Sequence, residues 1–256
     1  NIENNANDNY DLKGEIEFKN VKLIYPETRI VAINNLSFKI NQGKSLGIIG
    51  GVGSGKSTIA ELILRNYDPN SGEILIDKKK LKKHNLDIIR QNIGYVPQTT
   101  FLFSDSISNN IKFGNVNAGD DDVIDFSKFA NVHKDIMSFY DKYDSILGER
   151  GINLSGGQRQ RIAIARALIK EPKIIILDDS LSAVDTETED KIFRNILNYV
   201  SNCTKIIISH RISTLKHCDK IIVLNEGKKI QEGSHSELIN KDGYYNDIYN
   251  QQIKSK

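Results

Sequence analysis

Tryptophan is absent from this sequence, and its 256 residues include one methionine, four prolines and two cysteines. Cys203 and Cys218 match no metal-ligand or redox spacing, which excludes a disulfide scaffold and leaves both expected to be reduced and structural. No apolar run approaches the ~20 residues that a bilayer-crossing helix needs, and no signal peptide is visible. An excess of one charge is missing too. Lys and Arg number 35 against 33 Asp and Glu, and the net charge of +2 gives no general drive towards nucleic acid. The one basic cluster, Lys78-Lys79-Lys80-Leu81-Lys82-Lys83, reads as a solvated turn. The chain begins at Asn1, and its first residues are polar, so 1–13 is expected to be a linker or disordered tail and 249–256 a C-terminal tail. The length suits one substantial core with a smaller appended subdomain, and no internal repeat is present.

What is present centres on Gly50-Gly51-Val52-Gly53-Ser54-Gly55-Lys56-Ser57. Ahead of it lies the apolar run Leu46-Gly47-Ile48-Ile49, and behind it Thr58 to Leu64 has helical periodicity. Strand, Gly-rich turn and helix in that order make a phosphate loop: backbone N–H groups point inward and the helix adds its positive end. Lys56 is expected to reach the β- and γ-phosphates of a nucleoside triphosphate, and Ser57 to take a place on Mg²⁺. A plain Gly-rich turn is the bland alternative, and the flanking strand and helix argue against it.

Further along, Glu15 to Tyr25 and Val31 to Ile40 read as half-exposed strands, and the aromatic Tyr25 before Pro26 could stack on an adenine. Ile93 to Val96 is a strand ending at Pro97, which places Gln98 in a loop where its amide could face Mg²⁺ or a water. From Phe101 to about Arg150 the pattern is helical, with helices over Ser106 to Lys112, Asp121 to Phe129 and Asp135 to Lys142. Leu154-Ser155-Gly156-Gly157-Gln158 then opens another helix, presenting bare amides at a positive end. The run Ile174 to Leu177 reads as a buried parallel strand that delivers Asp178 for Mg²⁺, with Asp179 next to orient or deprotonate a water. His210 stands at the end of another apolar strand, Thr204 to Ser209, placed to sense a γ-phosphate. Lys220 to Asn225 and Lys228 to Glu232 form a hairpin-like pair, with short helices after them.

Taken together these residues resemble the nucleotide-binding domain of ATP-binding cassette transporters over about Gly14 to Ile248. The phosphate loop, Gln98 of the Q-loop, the signature Leu154 to Gln158, Asp178, the D-loop Ser182 to Asp185 and His210 of the H-loop come in the family's order. The resemblance implies an α/β fold: a P-loop NTPase core with a mostly parallel sheet, an N-terminal antiparallel β subdomain and an inserted helical subdomain at about 101–165. It implies ATP and Mg²⁺ as ligands, with Thr58 and Asp185 among the contacts. It also implies a head-to-tail partner, a second nucleotide-binding domain in a homo- or heterodimer, whose Ser155-Gly156-Gly157 end caps the ATP on Lys56. A transmembrane domain of the same or an associated chain would complete the assembly at the cytoplasmic face of a membrane, with no nucleic acid involved. Tyr25-Pro26, Phe101-Leu102-Phe103 and Gly148-Glu149-Arg150-Gly151 resemble the exporter branch, where Glu149 is a candidate coupling residue. There is one departure. The family's usual catalytic glutamate is here Asp179, a methylene shorter, which suggests slow hydrolysis at this site, as in the degenerate half of a heterodimeric exporter. A poorly hydrolytic, ATP-gated dimerisation module and a soluble non-transport cassette ATPase are the alternative functions.

Overall fold

The computed structural model describes residues 10–148, 151, 153–199 and 202–254. Glu149, Arg150 and the first nine residues of the expected tail lie outside them. In chain order the elements are β1 (Ile16–Ile24), β2 (Val31–Ile40), β3 (Ser45–Gly50), α1 (Lys56–Ile63), β4 (Ser71–Ile76), β5 (Lys79–Lys80), α2 (Leu86–Gln91), β6 (Ile93–Val96) and α3 (Ile107–Lys112). They continue with α4 (Asp120–Phe129), α5 (His133–Met137), α6 (Gly156–Leu168), β7 (Ile174–Asp178), α7 (Thr186–Tyr199), β8 (Thr204–Ile208) and α8 (Ile212–Leu215). Last come β9 (Lys220–Asn225), β10 (Lys228–Gly233), α9 (His235–Ile239) and α10 (Tyr244–Lys254).

Two sheets form, in the strand orders β2-β1-β4-β5 and β10-β9-β3-β8-β7-β6. The first is antiparallel throughout; the second is parallel except for β10. The second sheet is the organiser, because its strands are apolar on both faces. Ile175, Leu177, Ile207, Ile221 and Val223 point into a core shared with α3 to α7. Their alternates Ile174, Ile176, Ile206, Ile208 and Ile222 point into a core shared with the antiparallel sheet and α1. Period-two alternation thus lets one strand run serve two cores, as buried parallel sheets require. Between β6 and β7 lie α3 to α6 and, among the described residues, no strand. The expected architecture is present.

The helix expected over Asp135 to Lys142 is shorter. It ends at Met137, where the Ser138 hydroxyl donates back to the Asp135 carbonyl at 2.6 Å and the Phe139 N–H turns to Ile136. A side chain that bonds a carbonyl three residues back competes with the helical ladder. The basic cluster is a hairpin, with Asp77 and Lys78 as its two turn residues at φ +50° and +65°. Lys80 pairs with Glu73 across that hairpin. Residues 10–13 are docked rather than loose: Leu12 is buried, and the N–H groups of Lys13, Gly14 and Glu15 donate to the Asp77 carboxylate at 2.7, 3.0 and 2.8 Å. Residues 249–254 continue α10. Cys203 and Cys218 are both free and buried, and burial pushes the Cys203 thiol up to about 12.

Candidate functional site

The site forms where β3, β7 and β8 end side by side, the C-terminal edge at which open α/β sheets bind ligands. Beyond β3 the chain turns at Gly50, where an added Cβ would stand 2.2 Å from the Leu224 carbonyl. It enters α1 through Gly55 at φ +95°, where a Cβ would lie 2.4 Å from the Ala32 carbonyl. No side chain caps this helix. Its first-turn amides are therefore left for a ligand. Lys56 folds over the loop and donates to the Gly50 and Gly51 carbonyls at 2.8 and 2.7 Å. Burial holds its pKa below the ordinary lysine value, against the opposing pull of Asp179 and Asp178.

Asp178, at the end of β7, is only 3 % exposed. Burial raises its carboxyl pKa, and a hydrogen bond from the Ser57 side chain works against that rise. The next residue, Asp179, has φ +49°, a region that aspartate tolerates better than most residues, and its N–H donates to the Ile208 carbonyl at 2.9 Å. That turn aims its carboxylate at His210, whose Nδ1 meets it at 2.9 Å. Despite its shorter side chain, Asp179 reaches the histidine. Tyr25 shares a 2.9 Å hydrogen bond with Thr58, and its ring stands edge-on to Tyr67 at 5.1 Å.

A cleft of about 590 Å³ collects these groups: Tyr25, Val52 to Thr58, Gln98, Asp178, Asp179 and His210 all line it, with Gly50 at its base. Gly51, Leu154 to Gln158 and Asp185 do not line it. At that second place Ser155 caps α6, its hydroxyl accepting from Gln158 N–H at 3.1 Å while Gln158 Oε1 accepts from Ser155 N–H at 2.9 Å. The expected bare amides are thus partly used within the chain, since a capping box takes the third-position amide and leaves those of Gly156 and Gly157. The Gln158 amide also donates to Asp135 at 3.1 Å. Asp185 caps α7 by accepting from Thr188 N–H at 2.9 Å, a bond that holds its pKa low.

The sequence profile of the ABC transporter family matches residues 33–182. The chain belongs to that family. This ABC domain is 47 % identical to the Bacillus subtilis ABC transporter ATP-binding protein YknU over 243 residues, which is 95 % of this chain and 42 % of that protein. It is 43 % identical to Xenopus tropicalis ATP-binding cassette sub-family B member 6 over 239 residues, 93 % of this chain and 28 % of that one. Among solved structures, a bacterial Atm1-family ABC exporter with ATP bound superposes with a TM-score of 0.90 at 39 % identity, covering 93 % of this chain and 42 % of that one. The chain spans less than half the length of these relatives. Over nearly all of its own length it is similar to part of ABC transporters, an exporter solved with ATP bound among them. Among the described residues no helix is long and apolar enough to cross a membrane.

Three side chains of this ABC domain that the sequence reading passes over also bear on the site. Gln160 of α6 links to the D-loop, donating to Ser182 Oγ at 3.2 Å and accepting from Ala183 N–H at 3.0 Å. Arg211 grips the same D-loop from the other side, and Gln252 of α10 holds the backbone of His210. Only Arg211, adjacent to His210, carries any signal in sequence; the other two depend on how helices pack.

Proposed function

We propose that this domain is the ATP-driven motor of a membrane exporter, closing head-to-tail with a second nucleotide-binding domain on ATP and reopening after hydrolysis. The observation that carries this is the separation of two helix starts suited to phosphate. The cleft gathers Lys56, Asp178, Asp179, Gln98 and His210, while Ser155-Gly156-Gly157 stands outside it. A second domain must bring its own copy of that helix start to complete the site. Tyr25 lines the cleft as the adenine platform, and Asp185 belongs with the partner-facing edge.

The donors fit Mg²⁺. Among the described residues no cluster of three His, Cys, Asp or Glu could hold a metal, so a cation here must share its shell with phosphates and water. Asp178, Ser57 and Gln98 all line the cleft and supply hard oxygens, with Ser57 already bonded to Asp178. When bound, the ion neutralises charge on the β- and γ-phosphate oxygens. Asp179 orients the attacking water and takes up its proton, and His210, held against Asp179 through Nδ1, faces the γ-phosphate, to which Nε2 donates when both ring nitrogens carry protons. Because Asp179 is a methylene short of glutamate, hydrolysis at this site is slow.

A transmembrane domain of the same or an associated chain, at the cytoplasmic face, is the load. Phe101, Phe103 and Phe113 support it: they form an exposed aromatic cluster from the loop after Gln98 and the end of α3. Single-turnover hydrolysis with Mg²⁺ tests the motor and its rate together. Asp179→Glu should speed it at least about tenfold, and no gain would remove the slow-site account. ATP-dependent dimerisation with no turnover in either variant would favour the ATP-gated module, a reading that Asp179 itself suggests.

A further inference from the structure

His210 sits between β8 and α8, and its side chain is 58 % exposed, so packing does not fix it. Its backbone is fixed by a residue 42 positions later. Gln252 Nε2 donates to the His210 carbonyl at 2.7 Å, and Gln252 Oε1 accepts from Ile212 N–H at 2.9 Å. One side-chain amide therefore satisfies the carbonyl before Arg211 and the N–H after it, the pair of bonds that a neighbouring strand would make. The opposite side of the same segment is clamped by Arg211, which donates to the Ser182 carbonyl at 2.8 Å, the Val184 carbonyl at 3.1 Å and Glu189 at 2.7 Å. Glu189 is 3 % exposed and accepts from Thr214 as well, so that anchor is rigid. Gln252 is equally well based. Its helix is tied down by Tyr245, which is fully buried, accepts or donates with His235 at 2.9 Å, and gives its N–H to Gln231 at 3.0 Å.

We infer that Gln252 is a positioning residue for ATP hydrolysis: through it the last helix sets where the His210 imidazole stands against Asp179 and the γ-phosphate. Gln252 touches no reacting atom. The inference rests on the reading of His210 as the γ-phosphate residue. The competing account is that Gln252 merely fastens α10, and the two differ in what happens when His210 is gone.

The test is single-turnover hydrolysis of Mg-ATP, together with ATP affinity and Tm, for Gln252→Ala, Gln252→Glu and Ile253→Ala, with the glutamine changes repeated in a His210→Ala background. A displacement of about 1 Å can cost on the order of 100-fold; with Arg211 still clamped, Gln252→Ala is expected to slow hydrolysis about tenfold. ATP affinity should stay within about twofold, and the change should add nothing in the His210→Ala background. Gln252→Glu keeps the acceptor for Ile212 but loses the donor to His210, so an intermediate loss is expected; it carries the test should Gln252→Ala unfold. Ile253→Ala, exposed on the same helix, should match wild type. Wild-type rates for both glutamine variants, or equal losses with and without His210, would overturn the brace while leaving the histidine's role intact. Wild-type hydrolysis by His210→Ala alone would overturn the underlying reading and the brace with it.

Discussion

The two glycine-flanked helix starts in this chain are built in opposite ways. α1 begins at Gly55 in a left-handed conformation with no side-chain cap, and α6 begins at Ser155 inside a reciprocal capping box with Gln158. The first has no side-chain cap and leaves its amides to a ligand; the second satisfies its third-position amide itself and leaves those of Gly156 and Gly157. That contrast suits the places proposed for them. A cleft that wraps a triphosphate gains from open donors, whereas a cap that arrives from another molecule gains from being rigid beforehand, since ordering it on arrival would weaken association. The electrostatics follow the same division. At the α1 end Asp178 and Lys56 are both displaced from their ordinary pKa values by burial, while at the α6 end the nearby Asp135 is neutralised by Arg161 at 2.8 Å.

The largest expected effect tests whether the open end carries the chemistry. Lys56→Ala should cut ATP turnover by at least about 100-fold, the scale for removing one charge-stabilising donor. ATP-driven dimerisation should weaken with it. Turnover retained within tenfold would mean that the phosphate sits elsewhere and the comparison is misplaced.

A smaller effect tests the electrostatics of the open end. Burial raises the Asp178 pKa, so the folded state holds that proton more tightly than the unfolded chain does. Its stabilising contribution is full below the ordinary carboxylate value and is lost as pH rises through the raised one. At pH 7 the buried charge costs the fold stability. Asp178→Asn should therefore raise Tm by a few degrees at pH 7, with a gain that shrinks as pH falls toward the ordinary carboxylate range, while hydrolysis is lost. A thermal melt series across pH checks both; a Tm gain independent of pH would assign it to packing.

Much of this was legible in sequence, for identifiable reasons. The run Ile174 to Leu177 marks its own strand because β-branched residues bounded by charge have few other uses. The phosphate loop is legible because two of its glycines, Gly50 and Gly55, are demanded by contacts of 2.2 and 2.4 Å that a side chain would not survive. The α6 start was half legible: Ser-x-x-Gln is a capping-box pattern, yet its glycines suggest bare amides, and only the paired bonds of Ser155 and Gln158 show how many remain. The end of α5 was missed because Ser138 bonds backward, a local competition that helical periodicity does not register. The contacts of Asp179 with His210 and of Gln252 with His210 join residues 31 and 42 apart. Their partners are chosen by the order of β7 and β8 in the sheet and by the docking of α10, neither of which has a local signal.

The smallest effect separates the two tasks of Ser155, which caps its own helix and would face the ATP of another molecule. Ser155→Ala removes the acceptor for Gln158 N–H and should cost about 1 kcal/mol of stability, or roughly 2–4 °C in Tm for a domain of this size. Ser155→Asp should restore that Tm, because aspartate caps as well as serine and its charge favours a helix start. The same carboxylate would confront phosphate in a closed dimer, so ATP-driven dimerisation should be lost in Ser155→Asp although the fold is repaired. Light scattering and thermal melts on the two variants read these outcomes separately. Dimerisation that returns with Tm in Ser155→Asp would mean that this helix start is only a helix start, and that the partner's ATP is capped by something else.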